Sequence, residues 1–199
     1  MSKSSSVLVV MALNEEGQGV FERSGIDVLY TGLGKVNASM MLMRRLIQQS
    51  HTNSKPSLVI NFGSAGSRRF KTGTLVSCTN FVQRDMDVGP LGFAHGVTPF
   101  EDIPSTLEFP NVFPDLPVGI CGTGDSFEIG EPRITCDVVD MEAYALAKVC
   151  YREGLQFSCV KYISDGADDT AAQDWQDNVH KAADAFLHLY QSLKRGDMK

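Results

Sequence analysis

Three carboxylates stand at junctions where this 199-residue chain passes between structural elements: Glu16 in Asn14-Glu15-Glu16, Glu142 in Asp140-Met141-Glu142-Ala143, and Asp165 in Ile163-Ser164-Asp165-Gly166-Ala167-Asp168. A carboxylate at such a junction can be held partly out of water at the carboxyl edge of a sheet, where open α/β folds bind small molecules. Each also has a purely structural reading. Glu15 and Glu16 suit the first turn of a capped helix, Asp140 is a natural helix cap, and Asp165 could cap a turn beside Asp168 and Asp169. What favours a pocket is that all of them fall at strand ends of one inferred sheet, together with two glycine turns, Gly63 to Gly66 and Gly122 to Gly124.

Other chemistries fail on residue type. Gly122-Thr123-Gly124-Asp125-Ser126-Phe127 starts like a dinucleotide fingerprint, but Phe127 replaces the third glycine and the preceding strand is far from the N-terminus. No phosphate-loop Gly-x-x-x-x-Gly-Lys occurs, and His51, His95, His180 and His188 lack metal-ligand spacing. Neither a nucleotide cofactor nor a metal is expected. Gly63-Ser64-Ala65-Gly66 is not a Gly-x-Ser-x-Gly elbow, so Ser64 is not read as a nucleophile. Locally the segment reads as a tight turn at a strand end, free to bind an oxygen or simply to reverse the chain.

The elements that must position these groups alternate along the chain. Short β-branched runs predict strands near 6–12, 27–31, 57–61, 74–83, 117–122 and 157–164. Helical spacing predicts helices over 15–23, 35–49, 141–153, where Gly154 is the C-cap, and 171–194. Val179, Ala183, Phe186, Tyr190 and Leu193 form one apolar stripe on the last of these. Such alternation predicts an α/β sheet. Between 85 and 117 the pattern stops, and six of the eight prolines fall there; long loops of this kind are usually functional. Met40, Met41 and Met43 read as core or subunit interface. Only Ser4 to Ser6 has low complexity.

Composition bounds the rest. A hydrophobic content of 43% over 199 residues fits one domain, 1–199, with a sizeable core. The net charge of -6 argues against a nucleic-acid partner. Five cysteines without Cys-x-x-Cys spacing read as reduced thiols of a cytoplasmic protein. The apolar run Val7 to Leu13 is too short to be a signal or a membrane span.

Taken in order, Ala12-Leu13-Asn14-Glu15-Glu16, Thr31-Gly32-Leu33-Gly34-Lys35-Val36, Ile60-Asn61-Phe62-Gly63-Ser64-Ala65-Gly66, Gly124-Asp125-Ser126-Phe127, Asp140-Met141-Glu142-Ala143 and Ile163-Ser164-Asp165 make the chain resemble the nucleoside phosphorylase and nucleosidase superfamily. The resemblance is greatest to bacterial 5'-methylthioadenosine/S-adenosylhomocysteine nucleosidases and runs from about Val7 to Tyr190. It implies a three-layer α/β/α fold around a twisted mixed sheet, and hydrolysis of the N-glycosidic bond of a purine nucleoside without a cofactor. By position, Asp165 would protonate the base at N7, which requires a pKa raised by burial. Glu16 would deprotonate the attacking water with Ser64 nearby. Glu142 would bind the ribose hydroxyls over Met141, and Phe127 would stack on the base while Phe127 and Glu128 read its edge. Leu33, Ala65, Gly66, Lys161 and Ser164 complete the implied substrate contacts. Leu91, Phe93 and Pro99 would cap the pocket of a neighbouring subunit, making the protein a homodimer.

The chain also departs from the pattern. Residues that usually build a hairpin between Gly17 and Asp27 are missing, and a stretch before Leu116 is shortened. Lys161 replaces a usual arginine, keeping the charge but losing the planar fork. Glu128 replaces an aliphatic residue and could accept hydrogen bonds from the base or point to solvent. Two other functions compete: a phosphorylase, in which a carboxylate at the phosphate position would repel the nucleophile, and a nucleoside-binding module without catalysis.

Overall fold

The computed structural model describes residues 6–128 and 133–196. Except for Ser6, the serine-rich start lies outside the described residues. In chain order the elements are β1 (Val7–Met11), α1 (Asn14–Gly17), α2 (Val20–Arg23), β2 (Val28–Tyr30), α3 (Lys35–His51), β3 (Leu58–Gly66), β4 (Leu75–Gln83), β5 (Thr106–Glu108), β6 (Val118–Thr123), β7 (Val138–Asp140), α4 (Ala143–Glu153), β8 (Gln156–Asp165), α5 (Ala171–Asn178) and α6 (Ala183–Arg195).

Strand alternation builds two cores. Leu8 and Val10 of β1 and Val59 of β3 face Ala38, Leu42 and Leu46 of α3 and Leu146, Ala147 and Cys150 of α4. Val9, Met11, Ile60 and Phe62 face the opposite way, toward Phe21 of α2 and Phe186 of α6. The two-residue strand period therefore places helices on both sides of one mixed sheet. Phe62 stacks on Phe186 with centroids 4.9 Å apart, and burying each such ring stabilises the fold by about 1.5–3 kcal/mol.

The sheet also closes on itself. β3 pairs in parallel with β8, β8 antiparallel with β4, β4 parallel with β6, and β6 parallel with β7. A single bridge, Gly66 to Val139, brings β7 back to β3. β1 and β2 extend the sheet from β3, and β5 hangs on β4. The ends of β3, β7 and β8 meet at this closure.

Local readings changed in four places, one of them the expected turn at Gly122 to Gly124, where β6 runs on through Gly122 and Thr123. The helix expected over 15–23 breaks where Gln18 and Gly19 turn left-handed, at φ 48° and 67°. The terminal helix is interrupted by a 3-10 turn at Val179–Ala182. Gly63-Ser64-Ala65-Gly66 is not a turn: β3 runs through it, paired with β8 up to a bulge at Ala65/Gly66. Its glycines serve close approach instead. A Cβ on Gly63 would lie 3.1 Å from both Glu16 Oε1 and Lys161 Nζ, and one on Gly66 would lie 2.5 Å from Asp165 Oδ1.

Gly154 ends α4 as expected, at φ 64°, its N-H donating to the Cys150 and Tyr151 carbonyls. Met41 and Met43 pack on the core while Met40 is exposed. The five cysteines are free thiols. Among the described residues no helix is long and apolar enough to cross a membrane, and no cluster of His, Cys, Asp or Glu could hold a metal ion.

Candidate active site

A cavity of about 290 Å³ opens at the sheet closure, and Glu16, Glu142 and Asp165 all line it. That volume sits at the small end of the usual range for ligand sites, about 300–1,000 Å³. The carboxylates arrive from three different elements. Glu16 is in α1, one turn past β1; Glu142 lies between β7 and α4; Asp165 ends β8. All three are buried, at 4%, 6% and 3% exposure, so the surroundings of each decide its chemistry.

Glu16 is enclosed by donors. Its Oε2 accepts the backbone N-H of Ala12 at 2.9 Å and of Leu13 at 3.1 Å. Its Oε1 accepts the backbone N-H of Ser64 at 2.8 Å and the Ser64 hydroxyl at 3.0 Å. Four donors on two oxygens match the four lone-pair sites of an ionised carboxylate. The Trp175 indole N-H, from α5, donates in turn to Ser64 Oγ at 3.0 Å.

Asp165 has a different environment. The Ser164 hydroxyl donates to its Oδ2 at 2.8 Å and the Ala167 N-H to its Oδ1 at 3.0 Å. Burial nonetheless dominates and raises its pKa above the ordinary aspartate value, with the negative charges of Asp174 and Asp168 adding to the rise. Glu142 is shifted further. Burial, followed by repulsion from Asp140, pushes its pKa up to about 8, although the Gly34 N-H at the start of α3 donates to its Oε1 at 2.8 Å. The site thus holds one carboxylate saturated with donors beside two whose protonated forms are favoured by burial. That asymmetry suits a base and an acid acting on one molecule.

Beneath the cavity lies a buried ion pair. Lys161 Nζ is 2.9 Å from Asp140 Oδ2, with both side chains 1% exposed. Burial works to raise the Asp140 carboxyl, but Lys161 and hydrogen bonds from Thr123 and Ala143 outweigh it and hold the group below its ordinary value. The Thr123 hydroxyl donates at 2.5 Å and the Ala143 N-H at 2.8 Å. Asp140 therefore holds the start of α4 through the Glu142 and Ala143 N-H groups while neutralising Lys161, although the N-cap position itself is Glu142.

One end of the cavity is formed by Ser126, Phe127 and Glu128, with Leu33, Ala65, Gly66 and Met141 also on the wall. Phe127 and Leu33 are half exposed to the opening. Glu128 neither faces solvent freely nor stands unpaired, because it forms an ion pair with buried Arg84. Arg84 also donates to Ser126 Oγ at 3.1 Å and to the Ser126 carbonyl, tying the end of β4 to the loop after β6.

Not every expected contact reaches the cavity. Lys161 is sealed behind Glu16 and Asp140, and Ser164 supports Asp165 from the interior; neither is part of the wall. Lys161 balances the charge of Asp140, and Ser164 orients Asp165 through its hydroxyl. Leu91, Phe93 and Pro99 also lie away from the cavity of their own chain. Leu91 is 69% exposed, and Phe93 packs edge-on against exposed Phe100. Sequence reasoning missed Arg84 and Trp175. Arg84 directly follows β4 at the same sheet edge, a position from which its role was readable. Trp175 offered only its rarity, being the single tryptophan of the chain.

Residues 19–194 match the family model described as the phosphorylase superfamily. A 5'-methylthioadenosine/S-adenosylhomocysteine nucleosidase of Marinomonas sp. is 29% identical over 202 residues, covering 90% of this chain and 84% of the relative. One from Haemophilus influenzae is 31% identical, covering 83% and 79%. Among solved structures, the Helicobacter pylori nucleosidase of that name, in complex with a substituted pyrrolidin-3-ol, superposes with a TM-score of 0.83 at 21% identity, covering 95% of this chain and 97% of its own. Futalosine hydrolase from the same organism also reaches 0.83 at 21% identity, with 95% and 97% covered. These structural likenesses establish the fold.

Proposed function

The chain belongs to the phosphorylase superfamily, among its 5'-methylthioadenosine/S-adenosylhomocysteine nucleosidases, and on that footing we propose that it hydrolyses the N-glycosidic bond of an adenine nucleoside, releasing the free base and a ribose or thioribose. The observation that carries this reading is the pairing, in one cavity, of a donor-saturated Glu16 with an Asp165 whose pKa is raised by burial. Asp165 donates its proton to N7, so the base leaves neutral as positive charge develops on the sugar. Glu16 takes the proton of the incoming water. Glu142, whose Oε1 is held by Gly34, binds the ribose hydroxyls above Met141, and Phe127 covers the base.

A phosphate nucleophile is disfavoured by the same geometry. Arg84, the cation on the cavity wall among the described residues, is already committed to Glu128, and Glu16 would repel an anion. Leu91, Phe93 and Pro99, which lie away from their own cavity, fit the reading that they close a partner's in a cytoplasmic homodimer; light scattering at twice the chain mass is expected.

The test is release of free base from a nucleoside panel followed by chromatography, with and without phosphate. The panel includes methylthioadenosine, S-adenosylhomocysteine and futalosine, because relatives carry those names. Hydrolysis without phosphate, abolished in Glu16→Gln and in Asp165→Asn, is the expected result. Strict phosphate dependence, or undiminished turnover in either variant, would overturn the proposal.

A further inference from the structure

Glu16 presents a difficulty as a base acting directly on water. Its four lone-pair sites are already filled by Ala12 N, Leu13 N, Ser64 N and Ser64 Oγ. Three of these donors belong to the backbone and cannot turn away. The fourth is a hydroxyl, which can give up its proton and accept another. Ser64 itself lines the cavity.

The direction of the Ser64 hydroxyl is not free. The indole N-H of Trp175 is a donor only and sits 3.0 Å from Ser64 Oγ. Ser64 must accept from it and cannot donate to it. One lone pair of Oγ is thereby occupied, and the hydroxyl proton is left for Glu16 Oε1 at 3.0 Å. One lone pair of Oγ remains for a water in the cavity.

Resting on the nucleosidase reading above, we propose that Ser64 relays the proton of the attacking water to Glu16, and that Trp175 is a positioning residue that sets the direction of this relay. In the step, a water O-H bond breaks as the water oxygen bonds to C1' of the sugar. Its proton passes to Ser64 Oγ while the Ser64 proton passes to Glu16 Oε1. The electron pair of the C1'-N9 bond leaves with the base, which has received the Asp165 proton at N7. Serine ends as a neutral hydroxyl and Glu16 as a neutral acid, so the count closes without any further reactant.

A relay moves two protons where direct abstraction moves one, and initial rates in mixtures of light and heavy water distinguish them. Asp165 transfer is common to all variants, so comparison between variants isolates the relay. The wild-type protein is expected to give a curved dependence on deuterium fraction. Ser64→Ala should lower kcat at least tenfold and reduce that curvature to the part left by Asp165, and Ser64→Thr, which keeps the hydroxyl, should restore the wild-type curve. Trp175→Phe should lower kcat and reduce the curvature with a much smaller change in KM. Because Trp175 is the single tryptophan, its emission reports the hydrogen bond directly and should shift in Ser64→Ala before any ligand is added. A Ser64→Ala variant that keeps the wild-type curvature, or whose kcat falls by less than tenfold, overturns the relay and returns the proton to a direct path. An active Glu16→Gln would instead overturn the nucleosidase reading, so the two failures are separate.

Discussion

Replacing Lys161 by methionine should destabilise this protein severely, although the lysine touches no cavity surface. The two side chains of the Lys161 and Asp140 pair are each 1% exposed and 2.9 Å apart. Methionine keeps the volume and removes the charge, which strands Asp140 as a buried anion held only by Thr123, Glu142 N and Ala143 N. Breaking a buried pair on one side costs about 3–5 kcal/mol, a large part of the roughly 5–15 kcal/mol that holds a typical protein folded. The loss is read from the shift of the urea midpoint at constant slope. The decisive comparison is the double variant Lys161→Met, Asp140→Asn, which removes the stranded charge. It should recover part of the stability, because deleting both partners is far less costly than deleting one. A single variant that loses under about 1 kcal/mol, or a double variant less stable than the single, would refute the view that this pair is a mutually neutralising unit.

Two other outcomes follow from the site. The Glu142 pKa of about 8 in the folded state lies above its ordinary 4.5, so the folded protein holds the extra proton between those values. Glu142 therefore stabilises the fold fully below pH 4.5, and its contribution falls as pH rises toward 8. Glu142→Gln should flatten that decline in a series of urea melts between pH 5 and 8; an unchanged slope would contradict the shift. Gly66→Ala would place a Cβ 2.5 Å from Asp165 Oδ1, and displacing a reacting group by about 1 Å can cost on the order of 100-fold in rate. Steady-state kinetics should show the loss in kcat, and a fully active Gly66→Ala would mean that Asp165 has room to move.

Which parts of this molecule were legible beforehand follows from the range of the forces involved. The long elements were visible because a period of 2 or 3.6 is a local property: β1, α3, β4 and β8 lie within a residue or two of their expected bounds. The strands β5 and β7, each three residues long, carry too little periodicity to stand out, and their pairing depends on partners distant in sequence. Glycine at 63 and 66 looked like a turn because glycine's backbone freedom is the commoner reason for its presence. Only the folded chain shows that its missing side chain is what matters there, leaving room for Glu16, Lys161 and Asp165.

The amino-acid order alone determined that carboxylates would gather at the ends of strands in an α/β sheet, because that outcome needs only local pattern and the sharing of one sheet edge. The tertiary structure decided the state of each carboxylate. The donors on Glu16 come from residues 12, 13 and 64, the ion pair beneath it joins positions 140 and 161, and the indole that orients Ser64 comes from position 175. Proton affinity in a buried site depends on which groups lie within a few ångströms, and that neighbourhood exists only once the ring of strands has closed.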